Sequence, residues 1–378
     1  MKHLIIVALL VLFPVSQGFT QGFIVNHACT RIEQIPESAI LLAKQNLHIA
    51  YGHTSHGSQL TEGMKGLVDF MNDRGYPVDL YTWNRGGING ALDLHDYAMG
   101  GDVGYYPDWV NNTRAYLGSP DPQTGRGTGA NADVNVIIWS WCGQVSGKYK
   151  DGTLVSEYLD PMVQLENEYT GITFVYMTGH LDHWDDAANK AANQTIRDFC
   201  VSNGKVLYDF ADIESYDPDG RYFPFAGDDC SYYESATGTL LGNWATEWQN
   251  SHTAGVDWYD CSSAHSQPLN ANRKAYAAWW LWARLAGWNQ STGVTQAGQV
   301  PRHFSAYPNP AKDRITLRAG HGHKGGALTI SDIHGREIHR QDVETNDIQY
   351  DLSRVPHGIY YIRYIFDTNV EIIPIVKD

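Results

Sequence analysis

No two cysteines of this 378-residue chain stand in C-x-x-C spacing, which argues against a structural zinc site of the familiar kind. The five present, Cys29, Cys142, Cys200, Cys230 and Cys261, are an odd number, so at least one thiol stays unpaired within the chain. Cys230 and Cys261 flank a Gly- and Trp-rich stretch and are a candidate loop closure. Positive charge is also scarce. Lys and Arg number 27 against 42 Asp and Glu, and the formal net charge of −15 repels a phosphate backbone, so no nucleic-acid partner is expected. After the first eighteen residues no apolar run is long enough to span a bilayer, and no membrane span is expected.

What is present begins with an address. Lys2 precedes an apolar run, Leu4 to Val15, broken by Pro14, and Ser16 and Gly18 have the small-residue spacing of a cleavage site. Residues 1–18 therefore read as a secretory signal peptide. Aromatic content is 12%, with 12 Trp and 23 Tyr, side chains that stack on sugar rings and also fill cores.

Five short runs rich in β-branched and aromatic residues punctuate the chain: Leu47–Tyr51, Val78–Trp83, Val134–Ser140, Ile172–Thr178 and Lys205–Asp209. Their near-continuous apolar character fits strands buried on both faces. Between them Gln59–Asn72, Leu154–Glu168 and Asp186–Asn203 have helical spacing, and a last helix over Asn270–Gly287 is apolar almost all round. Alternating strands and helices predict a parallel sheet covered on both faces, with the ligand at the carboxyl ends of its strands. This domain is expected over residues 23–288. A polar stretch, 289–303, reads as a linker. Short strands with turn residues then fill 304–378: Arg314–Arg318, Ala327–Asp332, Gly358–Tyr364 and Val370–Ile375.

That tail carries Tyr307-Pro308-Asn309-Pro310, then Ile330-Ser331-Asp332-Ile333-His334-Gly335-Arg336. Asp351-Leu352, Pro356, Gly358-Ile359-Tyr360-Tyr361 and Ile375-Val376-Lys377 follow. In this order the motifs resemble the C-terminal sorting domain of the type IX secretion system of Bacteroidota, a small all-β sandwich. The resemblance implies passage across the outer membrane with the secretion machinery as partner, then release or surface attachment.

Strand ends carry the candidate chemistry. Tyr51-Gly52-His53-Thr54-Ser55-His56-Gly57-Ser58-Gln59 joins the first strand to the first helix, so Ser55 sits near a helix N-terminus, where a developing negative charge is favoured. The blander reading is a helix cap. The second expected strand runs into Gly86 and Gly87, potential backbone donors to an oxyanion, and the third into Trp141-Cys142-Gly143-Gln144, where Gln144 offers a side-chain N–H. His265 stands just before the last helix as a candidate general base, with Asp260 to orient it.

This order resembles the SGNH/GDSL hydrolase superfamily, in a divergent branch where His-x-Ser-x-Gly replaces Gly-Asp-Ser-Leu. The resemblance implies a flavodoxin-like three-layer α/β/α domain with a five-stranded parallel sheet. It also implies Ser55 as nucleophile, His265 as base, and an oxyanion hole from Ser55 N–H, Gly86 or Gly87, and Gln144. The family's acid falls three residues before the His, where this chain has Ser262, so Asp260 or Asp257 substitutes, or a dyad operates. Gln also replaces the family's Asn, and the backbone of Cys142 or Gly143 is the alternative donor.

His53, His56, His180 and Asp182 are expected to bind substrate from the same edge. His180, Asp182 and His183 with His53 and His56 invite a metal reading, but their spacing matches no helical H-x-x-x-H arrangement, and no metal or cofactor is expected. The expected function is a secreted serine esterase that removes acyl groups, acetyl above all, from a polysaccharide or another ester. The alternatives are a glycoside hydrolase or polysaccharide lyase on the same scaffold, using His180, Asp182 or Asp209, and a non-catalytic glycan-binding protein.

Overall fold

The computed structural model describes residues 22–289, 304–307, 311–319, 326–332, 336–343, 345, 347–366 and 369–377. The expected signal peptide and nearly all of the linker lie outside them, as do Pro308–Pro310 and residues 333–335 of the tail motifs. The chain divides into two compact units, residues 1–289 and 290–378.

The first unit alternates strands and helices: β1 (Ile24–Val25), α1 (Glu37–Asn46), β2 (His48–Gly52), α2 (Ser58–Asp73), β3 (Trp83–Asn84), β4 (Leu92–His95), α3 (Asp108–Leu117), β5 (Val136–Trp139), α4 (Val145–Lys150), α5 (Asp160–Glu168), β6 (Thr173–Met177), α6 (Asp186–Ser202), β7 (Val206–Tyr208) and α7 (Phe210–Ile213). A hairpin, β8 (Ser231–Tyr233) with β9 (Leu240–Asn243), then precedes α8 (Trp244–Ser251) and α9 (Pro268–Leu285). The main sheet has seven strands in the order β1-β7-β6-β5-β2-β4-β3, all paired in parallel.

Strand residues alternate between two cores, which is why both faces must be covered. Ile49, Tyr51, Val136, Ile138, Val175 and Met177 pack with helices α1, α2 and α9. Ala50, Ile137, Trp139, Phe174 and Tyr176 pack with α3, α5 and α6. A Val, Ile, Phe or Met among them contributes about 1.5–3 kcal/mol when fully buried, so both helical layers are anchored to the sheet. The periodic face of α2 (Leu60, Met64, Leu67, Met71) is buried against α9, whose Ala275, Trp279 and Trp282 are inaccessible to solvent. Gly63 permits this contact, since a Cβ there would lie 2.1 Å from the Ala271 carbonyl oxygen.

Three expectations are corrected. The sheet has seven strands rather than five, because the two-residue β1 and β3 extend its edges. Val78–Trp83 is not an inner strand: Val78 is exposed, Asp79 adopts φ +66°, and Leu80 and Thr82 donate back to Pro77 and Asp79 in successive turns. The inner strand is β4, where Leu92 and Leu94 are buried and Asp93 and His95 half-buried. Finally, Cys230 and Cys261 do not pair, and all five thiols are free. Cys230 Sγ lies 3.2 Å from Ser266 Oγ, and Cys261 Sγ accepts from Asn272 at 3.4 Å.

The second unit pairs a three-stranded antiparallel sheet, β10 (Phe304–Tyr307), β11 (Arg314–Ala319) and β14 (Asp347–Asp351), with a four-stranded one. The latter comprises β12 (Ala327–Asp332), β13 (Glu337–Asp342), β15 (Gly358–Phe366) and β16 (Asn369–Lys377). Ile315 and Leu317, Leu328 and Ile330, and Tyr360, Ile362 and Tyr364 alternate inward to a single core.

Candidate active site at the carboxyl edge of the sheet

Register brings the site together. Gly52 of β2 pairs with Trp139 of β5, so the two strands end level, and Ser140 N–H donates to Gly52 O at 3.0 Å. Ser55, Cys142 and His180 each stand three residues beyond the last residue of β2, β5 and β6. Parallel neighbours that end within a residue of one another thus deliver three candidate side chains to one place. Two glycines allow the tight approach. A Cβ on Gly57 would lie 2.3 Å from Ser140 Oγ, and Gly143 takes φ +77° immediately after Cys142.

Cys142 Sγ lies 3.3 Å from Ser55 Oγ and 3.5 Å from His56 Nδ1, and His56 Nε2 meets Asp228 Oδ2 at 2.9 Å. Asp228 comes from the segment between α7 and β8. His56 is buried; Cys142 and Ser55 are half-buried. The His56 ring stacks against His180, at a centroid distance of 3.8 Å, and against His265, at 4.4 Å.

Electrostatics follows from these contacts. The hydrogen bond from His56 draws the Cys142 thiol down to about 6 against the opposing effect of burial, with Ser55 and Thr54 contributing further donors. Burial opposes charge on His56, but its bonds with Asp228 and Cys142 outweigh that effect and lift it to about 9. Both shifts favour a thiolate beside an imidazolium. His180 is pushed down by burial and by the charge on His56. Its Nδ1 lies 2.6 Å from Leu181 O, and its buried Nε2 has no partner.

Behind the site lies a buried ion pair. Lys274 Nζ on α9 donates to Glu214 Oε2 and to Gln59 Oε1, each at 2.5 Å. Glu214 also accepts from Leu181 N–H, next to His180, while Gln59 Nε2 donates to Ala264 O, next to His265, at 2.5 Å. Asn270 extends the network to Ser266 Oγ at 2.8 Å. Loops that carry both flanking histidines are therefore tied to one charged pair in the core.

The residues singled out from sequence fall into distinct places. Ser55, His56, His180 and His265 converge, but among the described residues no hydrogen bond joins Ser55 to His265. Asp260 is exposed and, among the described residues, makes no hydrogen bond or ion pair to His265. Gly86 and Gly87 precede β4 instead of following it. Asn84 pairs with Asp93, which pairs with His48, so they lie near the amino end of β2, a strand's length from Ser55. Gly86 N–H is spent on Asp93 Oδ1 at 2.5 Å. Gln144 presents Oε1 to Cys142 N–H at 3.0 Å, fixing the Cys142 loop as an acceptor where a donor was expected. Both ring nitrogens of His53 are engaged, with Asp96 at 2.7 Å and Thr54 O at 2.9 Å. Asp182 caps a short turn by accepting from Trp184 N–H at 3.1 Å. Sequence reasoning passed over the Cys142 thiol as a candidate side chain and Asp228 altogether. The available signal was a cysteine followed by glycine directly after a central strand.

Residues 305–377 match the family model of the secretion system C-terminal sorting domain. The tail is thus a type IX sorting domain, which sends the protein through that secretion machinery to the cell surface. Among the described residues no helix is long and apolar enough to cross a membrane. No characterised protein matches the chain in sequence. Among solved structures, PorZ, a surface component of the type IX secretion system of Porphyromonas gingivalis, is 21% identical over 23% of this chain and 13% of its own, with a TM-score of 0.19. An endo-β-1,4-mannanase from Thermotoga petrophila is 11% identical over 65% of this chain and 47% of its own, with a TM-score of 0.16. The chain spans less than half the length of either, and superpositions this slight carry no argument about the first unit.

Proposed function

We propose that the first unit is a surface-delivered acyl hydrolase that cleaves esters through Cys142, with His56 as its base and Asp228 orienting His56. The observation that carries this reading is the unbroken run from Ser55 Oγ through Cys142 Sγ and His56 to Asp228, at 3.3, 3.5 and 2.9 Å. Cys142 Sγ attacks the acyl carbon, and the carbonyl electron pair moves onto oxygen. The N–H groups of Ser55, His56 and Gly143 donate to no acceptor among the described residues and are candidate oxyanion donors. Collapse of the tetrahedral intermediate expels the alcohol, which takes its proton from His56, and leaves a thioester on Cys142. Water then attacks that thioester, passing a proton to His56. The acid departs and Cys142 is restored.

A sugar polymer bearing acyl groups suits the rim. Tyr97, Tyr105, Tyr149 and Trp184 are exposed on segments that leave the carboxyl edge, Trp184 by 93%. The inner strand order β4-β2-β5-β6-β7 supports the resemblance to the SGNH/GDSL scaffold. A second reading keeps Ser55 as nucleophile with His265 as base. The observation in its favour is His265 itself, exposed, stacked on His56 and held at φ +61°.

The test is hydrolysis of aryl esters and acetylated polysaccharides by Cys142→Ala and Ser55→Ala. Cys142→Ala is expected to lose at least about a thousandfold in kcat/KM. Ser55→Ala removes one hydrogen bond to a charged sulfur, about 1.5–3 kcal/mol, or roughly a ten- to hundredfold loss. The opposite ranking transfers the nucleophile to Ser55. Release of reducing ends without acid release would overturn ester hydrolysis altogether.

A further inference from the structure

We propose that His56, His180 and Asp228 form a binding site for one divalent cation of the zinc class, whose occupancy switches the hydrolase off. The three side chains come from separate segments, and one ligand atom of each lies within 4.8 Å of the other two. A tetrahedral ion with bonds near 2.0–2.2 Å sets its donors about 3.4 Å apart, so no two of the three need approach by more than about 1.4 Å.

His180 points to a ligand independently of the cluster. Its Nδ1 donates to Leu181 O at 2.6 Å, which places the ring proton there and leaves a lone pair on Nε2. That Nε2 is buried with no hydrogen-bond partner, although the residue is only 7% exposed. Buried polar atoms are nearly always satisfied. An imidazole fixed through one nitrogen by a carbonyl, with the other left bare, is the arrangement metal-binding histidines adopt. The Leu181 segment is itself held by Glu214 through its N–H. Two imidazoles and one carboxylate favour zinc over calcium or magnesium, which take all-oxygen shells.

The inhibitory consequence rests on the acyl-transfer reading; the binding does not. A cation on His56 Nε2 displaces the proton shared with Asp228 to solvent and confines the remaining ring proton to Nδ1, facing Cys142. Giving up that proton would leave an imidazolate, and with no free nitrogen the ring can no longer protonate the leaving alcohol and take a proton back from water.

The experiment is titration of the chelator-stripped mature protein with Co²⁺, followed by the visible d–d bands of a four-coordinate ion. One equivalent is expected, displaced by Zn²⁺. His180→Ala and, at the half-exposed position, Asp228→Asn should each weaken binding at least tenfold, with circular dichroism reporting the fold. Cys142→Ser should keep the cobalt bands. Absence of stoichiometric binding, or wild-type affinity in a folded His180→Ala or Asp228→Asn protein, overturns the proposal. If ester hydrolysis depends on Cys142 but is unaffected by Zn²⁺ that demonstrably binds, the switch fails and the site stands. If cobalt binds and the metal-free protein cleaves no ester, the acyl-transfer reading fails alone.

Discussion

The Glu214–Lys274 pair offers a prediction whose magnitude follows from its surroundings. Both side chains are essentially inaccessible, at 1% and 0% exposure. Replacing Lys274 with Met leaves the Glu214 carboxylate with only Leu181 N–H and a long contact from Asn270 at 3.4 Å, and leaves Gln59 Oε1 without its donor. An unpaired buried charge costs about 3–5 kcal/mol, which lowers Tm by roughly 10 °C for a unit of this size. Glu214→Gln alone should be comparably harmful, because burial already pulls the Lys274 ammonium down and Glu214 is what opposes that. The double variant should be far milder. Its amide keeps an acceptor for Leu181 N–H, turns an NH₂ toward the vacated space, and no charge remains to solvate. The assay is urea unfolding read by tryptophan fluorescence, which reports on the first unit alone, since all 12 tryptophans precede residue 289. A coupling of at least about 2 kcal/mol is expected. Additivity within about 0.5 kcal/mol, the behaviour of independent sites, would refute the account of a mutually dependent pair.

Further outcomes follow from single contacts. Gly63→Ala drives a methyl into the Ala271 carbonyl and must part α2 from α9, so it should cost about 1–3 kcal/mol or more in the same urea assay. Arg197 forks onto the buried Asp209 carboxylate at 2.6 and 2.8 Å; Arg197→Ala strands that charge and should destabilise by about 3–5 kcal/mol, with Arg197→Lys recovering only part. In the intact protein, iodoacetamide should label Cys142 well before the other four thiols, and His56→Ala should slow that labelling, as followed by peptide mass mapping. Deletion of residues 305–377 should leave the protein in the periplasm when cell fractions are blotted.

Much of the fold was legible because its signals are local. Continuous apolar runs at Ile172–Thr178 and Lys205–Asp209 became β6 and β7, trimmed by a residue at each end, and α2 starts within one residue of its expected boundary. The second inner strand was missed for a physical reason. Leu92-Asp93-Leu94-His95 alternates, as a strand with one less buried face does, whereas Val78–Trp83 has strand-like composition but follows Pro77, and its successive turns leave Val78 in solvent. That slip carried Gly86 and Gly87 to the wrong end of the sheet.

The site was legible in part because strand ends, not motifs, determine it. Ser55, His56, His180 and His265 were recognisable as edge residues from the strand–helix alternation alone. The partnership of Cys142 with His56 was not, since it depends on Gly52 and Trp139 being paired neighbours, a fact of register that no single segment carries. Asp228 was still less accessible. It reaches His56 across 172 positions from a segment whose sequence resembles an ordinary acidic turn. A flavodoxin-type strand order puts the first and third strands side by side, so residues equally spaced beyond their ends must meet there. Inspecting that pair of positions in the sequence would have brought the thiol and the hydroxyl together before any coordinates existed, and would have asked of Cys142 the question first asked of Ser55.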